Sequence, residues 1–200
     1  LNFLKKNRKT REYKVLKRFN TIQHPKHNLE NFLAASTIAL QMGVSVDCIV
    51  EGINSFLGIK RRFEYHINTK NQIFIEDYAH HPKEIDALIS SLRLMYNSEK
   101  ITMIFQPHLF SRTKDFLDEF ADSLSKVDTL ILLDIYPARE LPIRGFSIQK
   151  LFELINIEDK ILVSNKKLVP LILKLKPKLL VLAGAGDITT FSEKLKDTLL

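Results

Sequence analysis

Six short strand-like runs, at residues 63–67, 72–76, 101–105, 129–133, 161–163 and 179–183, alternate with stretches whose apolar residues recur at helical spacing. The helical stretches carry Ile85, Leu88, Ile89, Leu92 and Met95, then Phe116, Leu117, Phe120 and Leu124, then Leu151, Phe152 and Ile155. A short one follows near 166–173, and the last carries Ile188, Phe191 and Leu195. Most of the runs are continuously apolar rather than alternating, which marks strands covered on both faces. A helix between successive strands supplies the crossover that parallel pairing needs. The pattern predicts an α/β fold, a Rossmann-like mostly parallel sheet of about six strands flanked by helices.

In such a sheet, chemistry gathers in the loops beyond the carboxyl ends of the strands. Two runs break there into chemically rich segments, Phe74-Ile75-Glu76-Asp77-Tyr78-Ala79-His80-His81-Pro82 and Phe105-Gln106-Pro107-His108-Leu109-Phe110-Ser111-Arg112-Thr113. Later strand ends bring Asp134, Tyr136, Arg139 and Glu140, and then Gly184-Ala185-Gly186-Asp187. Asp77 is a carboxylate at a strand end, able to accept hydrogen bonds from a ribose diol. Arg112 carries a guanidinium, whose fork grips a carboxylate or phosphate with two parallel bonds. His81-Pro82 reads as a helix start, with proline in the first turn. The Gly184–Asp187 segment lacks the third glycine of a dinucleotide fingerprint, so a tight turn with Asp187 capping the final helix is expected. The six histidines show no paired metal-ligand spacing, so no metal site is expected in this chain. A Gly-x-Ser-x-Gly elbow is absent, which argues against a hydrolase.

The net charge of +7 is unevenly spread. Residues 1–26 hold nine Lys or Arg against Glu12 alone, while residues 27–200 are close to neutral. A basic arm of that kind can bind nucleic acid or an acidic surface. No aromatic-basic stacking surface accompanies it, so a nucleic-acid-binding module stands only as an alternative reading. Cys48, the single cysteine, excludes an internal disulfide and is expected to be a buried small residue on a helix. No apolar run has the length of a membrane span, and the cytoplasm is the expected compartment. Residues 27–57 read as a helical pair, broken near Gly43, with Ser45 capping the second helix. Residues 59–62 read as a hinge.

Taken together, these segments resemble the Mur ligases. His27-Asn28-Leu29-Glu30-Asn31 resembles the family's HNxxN segment, and Lys60-Arg61-Arg62-Phe63-Glu64 its hinge into the C-terminal domain. The segments around Asp77 and His108 are similar to its strand-end signatures, and Tyr136-Pro137-Ala138-Arg139-Glu140 to its YPAGE motif. The resemblance implies that Asn28 and Asn31 contact the ATP adenine, that Arg62 faces nucleotide and that Asp77 contacts the ribose. It places Tyr78, His80 and Arg112 beside the amino-acid substrate, with His80, His108 and Arg112 as the catalytic group. The implied domains are 1–58, the remnant of an ATP-binding central domain with a basic arm at 1–26, and 59–200, the family's C-terminal domain.

The implied activity is ATP-dependent joining of L-alanine to UDP-N-acetylmuramate, a step of peptidoglycan and cell-wall synthesis. An alternative is ligation of a whole tripeptide to the same sugar nucleotide. Leu109 stands where the family commonly has Arg, Glu76 where it often has Asp, and Arg139 where it often has Gly. No GxxxxGK[ST] loop occurs, so nothing in the chain can cradle the ATP phosphates. The magnesium ligands and the UDP-sugar domain are expected upstream. The chain starts at Leu1, and it is expected to be a fragment that is inactive alone.

Overall fold

The computed structural model describes the backbone of residues 2–6, 13–18 and 26–28 and complete residues from 29 to 200. It divides into two compact units, Leu1–Leu57 and Gly58–Leu200. In the first, strands β1 (Asn2–Lys6) and β2 (Tyr13–Arg18) pair antiparallel. That hairpin had no counterpart in the sequence pattern, because its residues do not alternate cleanly between apolar and polar. The rest of the basic arm lies outside the described residues.

Helices α1 (Lys26–Gln41) and α2 (Val46–Ser55) follow. Ser45 caps α2, its hydroxyl accepting from the Cys48 amide at 3.3 Å. Ile49, Val50 and Ile53 are buried, with Phe32, Ala39 and Val46 packed against them. Phe32 meets Phe56 edge-on at 5.6 Å between ring centroids. Cys48 is exposed rather than buried, because that packing uses the other side of α2. Among the described residues, no helix is long and apolar enough to cross a membrane.

The second unit is built on a six-stranded sheet. Its strands are β3 (Glu64–Asn68), β4 (Ile73–Asp77), β5 (Ile101–Phe105), β6 (Thr129–Leu132), β7 (Lys160–Leu162) and β8 (Leu179–Ala183). Their spatial order is β3-β4-β8-β5-β6-β7. Only the edge pair β3–β4 is antiparallel, and every other pairing is parallel. Helices α3 (Pro82–Met95), α4 (Phe110–Asp115), α5 (Leu117–Leu124), α6 (Ile148–Leu154) and α7 (Asn165–Leu175) lie between the strands, and α8 (Ser192–Leu199) ends the chain.

Side chains alternate across the sheet, as the pleat requires. Ile73, Ile75, Met103, Phe105, Leu130, Leu132, Leu179 and Val181 pack on one face with Ile85, Leu88, Phe120 and Leu151 from α3, α5 and α6. Phe74, Ile104, Ile131, Leu180 and Leu182 pack on the other with Leu168, Ile172 and Leu195 from α7 and α8. A strand covered from both sides has no polar face, which explains the uninterrupted apolar runs. Leu182 is fully buried on the strand that joins β4 to β5, so Leu182→Ala should lower the unfolding free energy by about 2–5 kcal/mol. Leu173→Ala, at a half-exposed position on α7, should change it by no more than about 0.5 kcal/mol. Urea unfolding of both variants measures the difference.

Candidate functional site

Register decides where the polar segments meet. Ala183 pairs with Asp77 on one side and with Phe105 on the other, and Phe105 pairs with Leu132. Four parallel strands therefore end level with one another. The residues after them, Tyr78 onward, Gln106 onward, Leu133 onward and Gly184 onward, leave the sheet at the same edge.

Asp77 turns its carboxylate back onto the chain. One oxygen accepts from the Phe63 amide at 2.8 Å and the other from the Ala79 amide at 2.8 Å. Two amide donors hold the group rigid. His81 caps α3, with its Nδ1 accepting from the Lys83 amide at 3.4 Å, and Glu84 closes the box by accepting from the His80 and His81 amides. His80 donates from Nδ1 to the Tyr78 carbonyl at 2.9 Å, and Glu84 Oε2 lies 3.2 Å from the same nitrogen, so Nε2 is the ring nitrogen turned away from both.

The next strand end is tied to the one beyond it. The Tyr136 amide donates to the Pro107 carbonyl at 2.8 Å, and the Leu109 amide to the Tyr136 carbonyl at 2.9 Å. These bonds stack the His108 ring on Tyr136, with centroids 5.5 Å apart. His80 approaches His108 edge-on at 6.2 Å, and Tyr78 approaches His80 at 5.2 Å. Tyr78, His80, His108 and Tyr136 thus form a continuous row of rings along the rim. Leu109 opens α4 at φ +74°, a conformation that costs a non-glycine residue on the order of 1–3 kcal/mol.

Arg112 lies in the first turn of α4, and among the described residues its Nη1 is buried with no hydrogen-bond partner. His108 Nδ1 is buried and unpartnered as well. Burial, reinforced by the neighbouring Arg112 and His80, pushes the His108 imidazole below its ordinary value, and Glu140 opposes this only in part. His108 is therefore neutral at pH 7. Glu140 accepts from the Ser111 hydroxyl and amide, and these bonds hold its carboxyl below the ordinary range.

The glycine turn after β8 is a site of close approach. A Cβ on Gly186 would lie 2.7 Å from both Gln106 Oε1 and Tyr136 Cγ, and one on Gly184, at φ +150°, would lie 2.9 Å from the Gln106 carbonyl. Asp187 does not cap α8. It opens a short 3-10 helix, Asp187–Phe191, and accepts from Gln106 Nε2 at 2.8 Å, while Gln106 Oε1 accepts from the Ile188 amide. Sequence gave no sign of that bond, because its partners are far apart in the chain.

Of the remaining residues with an expected role, Arg62 and Asn31 are exposed, and the Asn28 side chain lies outside the described residues. Arg139 and Asp134 are exposed too. Two features had no signal in the sequence. Arg61, not singled out from its neighbour Arg62, reaches Gly184, Gly186, Glu76 and Tyr78. Glu64, His66 and Glu76 bring ligand-type atoms within 4.8 Å of one another. Arg61 stands beside that cluster, its Nε 3.2 Å from Glu76 Oε1 and its backbone amide donating to Glu64.

The sequence matches the Mur ligase glutamate ligase domain over residues 61–187. A UDP-N-acetylmuramate–L-alanine ligase of Christiangramia forsetii is 46% identical over 174 residues, which is 87% of this chain and 38% of that protein. The chain belongs to the Mur ligase family. It spans well under half the length of the curated relatives it matches. Among solved structures, the UDP-N-acetylmuramate–alanine ligase of Thermotoga maritima shares the fold of this Mur ligase chain, with a TM-score of 0.70 at 24% identity over 87% of this chain and 38% of that one. The MurF ligase of Thermotoga maritima, solved with ADP, superposes with a TM-score of 0.61 at 19% identity, covering 87% of this chain and 39% of its own.

Because Arg112 helps hold His108 below its ordinary value, Arg112→Ala should raise the His108 pKa. NMR titration of the His108 ring measures this. An unchanged or lower value would separate the two side chains.

Proposed function

We propose that this chain is the carboxyl-terminal part of a UDP-N-acetylmuramate–L-alanine ligase, a cytoplasmic enzyme that uses ATP to join the muramyl carboxylate to the amine of L-alanine. The observation that carries the reading is the buried, unpartnered Nη1 of Arg112 beside the unpartnered Nδ1 of a neutral His108. A buried guanidinium nitrogen without an acceptor is costly, and a substrate carboxylate removes that cost. The carboxylate of L-alanine is the group with the right charge and size. Relatives bearing this ligase name, at 46% and 45% identity over 87% and 85% of the chain, support the choice of substrate.

Arg112 binds and orients the amino acid, and the neutral His108 adds a hydrogen-bonding group without a second positive charge. His80, with its Nδ1 proton committed to the Tyr78 carbonyl, offers Nε2 to take the proton released as the amine attacks. Tyr78 lines the same side. The electrophile is the sugar carboxylate after it has accepted the γ-phosphoryl group of ATP, and phosphate is the leaving group. Residues of this segment contribute position and charge, not a covalent bond.

The residues present also fit a nucleotide. Asp77 is rigidly held as an anion at the rim, where its carboxylate suits a ribose diol. Arg62 supplies an exposed cation nearby in sequence, and the family resemblance alone assigns Asn28 and Asn31 to the adenine. Magnesium and the phosphate cradle belong to the part of the relatives that this chain does not span.

Two experiments test the reading. In the full-length ligase, Arg112→Ala should raise the L-alanine KM by roughly 10- to 100-fold, the range expected for a lost hydrogen bond to a charged group. Unchanged kinetics would remove Arg112 from the site. The 200-residue chain alone, given ATP, L-alanine and UDP-N-acetylmuramate, should release no phosphate, and measurable turnover would overturn the assignment of the phosphate cradle to the missing part.

A further inference from the structure

Arg61 connects several parts of this rim. Its backbone is unusual for an arginine, with φ at +58°. The amide donates to the Glu64 carboxylate at 2.7 Å, and the carbonyl accepts from the Tyr78 amide at 2.6 Å. The side chain then crosses the ends of β4 and β8. Nη2 donates to the Gly184 carbonyl at 2.8 Å and to the Gly186 carbonyl at 3.3 Å. Nε lies 3.2 Å from Oε1 of Glu76, and the guanidinium carbon stands 4.7 Å from the centre of the Tyr78 ring.

Each contact has a distinct consequence. Glu76 is 2% exposed and already takes hydrogen bonds from His66 at 2.8 Å and Ser192 at 2.6 Å, so it is a buried anion that needs a cation. The two carbonyls belong to the turn whose Gly186 touches Gln106 and Tyr136. The ring belongs to Tyr78, the first member of the aromatic row that leads to His80 and His108. One planar side chain therefore spans a buried charge, a glycine turn and a rim residue.

We infer that Arg61 is a positioning residue, which sets the pose of Tyr78 and of the Gly184–Gly186 turn from behind the rim. It acts through those groups and does not touch substrate. The inference rests on the proposed function only in treating Tyr78 as a substrate-side residue. A purely structural ion pair with Glu76 would be satisfied by any cation at this position. Reaching Glu76 through Nε and two carbonyls through Nη2, with the guanidinium carbon over the Tyr78 ring, requires a guanidinium. Lysine therefore separates the two roles, since it keeps the charge and loses the second donor nitrogen and the planar group.

The test is amide hydrogen exchange on the 200-residue chain and its Arg61→Lys variant. Three amides report the positioned groups: Tyr78, bonded to the Arg61 carbonyl; Gly184, bonded to the Asp77 carbonyl; and Ile188, bonded to Gln106 Oε1. Local opening at these should speed exchange by roughly tenfold or more in the variant, with the amides of β5 and β6 unchanged. Unchanged exchange at the three amides overturns the inference, and so does a uniform rise that includes β5 and β6. If the lysine variant does not fold, the unsubstituted chain decides the matter. Arg61 should then show separate, slowly exchanging Nη signals by nitrogen NMR, and one averaged signal like that of the exposed Arg139 overturns it. Neither readout uses ligation, so a failed kinetic test of Arg112 would leave this result standing, and the reverse holds too.

Discussion

Everything at the rim depends on where the last strand enters the sheet. β8 lies between β4 and β5, and the pairing of Ala183 with both Asp77 and Phe105 levels the strand ends. A slip of one residue would turn Leu180 and Leu182 toward the wrong face and carry the glycine turn away from Gln106 and Tyr136. Such a slip would also exchange Leu180 and Leu182 with Leu179, Val181 and Ala183 between two cores that each already pack around their own residues. Hydrophobic packing thus sets the geometry of a polar site that shares none of its atoms.

The glycine turn converts that register into contact. Only residues without a side chain can bring the chain this close to Gln106 and Tyr136. Gln106 then uses its amide group twice, donating to Asp187 and accepting from Ile188. Arg61 closes the turn from the other side. The row of rings and the free guanidinium nitrogen of Arg112 stand on this base. Glu140 is held by Ser111 and Asp77 by two amides, and the Arg112 guanidinium adjoins His108, whose imidazole burial pushes below its ordinary value.

Much of the fold was legible in the sequence, for a physical reason. β5 and β8 occupy the expected residues 101–105 and 179–183, because strands buried on both faces are apolar throughout and break sharply at polar loops. Ser45 as a cap and His81-Pro82 as a helix start follow from local chemistry and were equally readable. Properties set by distant partners were not. Cys48 has an apolar side chain, yet α2 packs through Ile49, Val50 and Ile53 and leaves it exposed. Arg61 and Arg62 are equivalent in sequence, and only the left-handed backbone at Arg61 aims one of them across β4 and β8. The engagement of Asp187 by Gln106 joins two strand ends that only the tertiary fold brings together.

We propose that the strand-end rim forms a receptor for a substrate carboxylate, centred on Arg112 and His108. The most direct measurement is a crystal structure of the chain soaked with L-alanine. Ligand density is expected with its carboxylate against Arg112 Nη1 and within hydrogen-bonding reach of the His108 ring. Density elsewhere on the molecule, or an Arg112 Nη1 satisfied by another protein group with the rim empty of ligand, would contradict it.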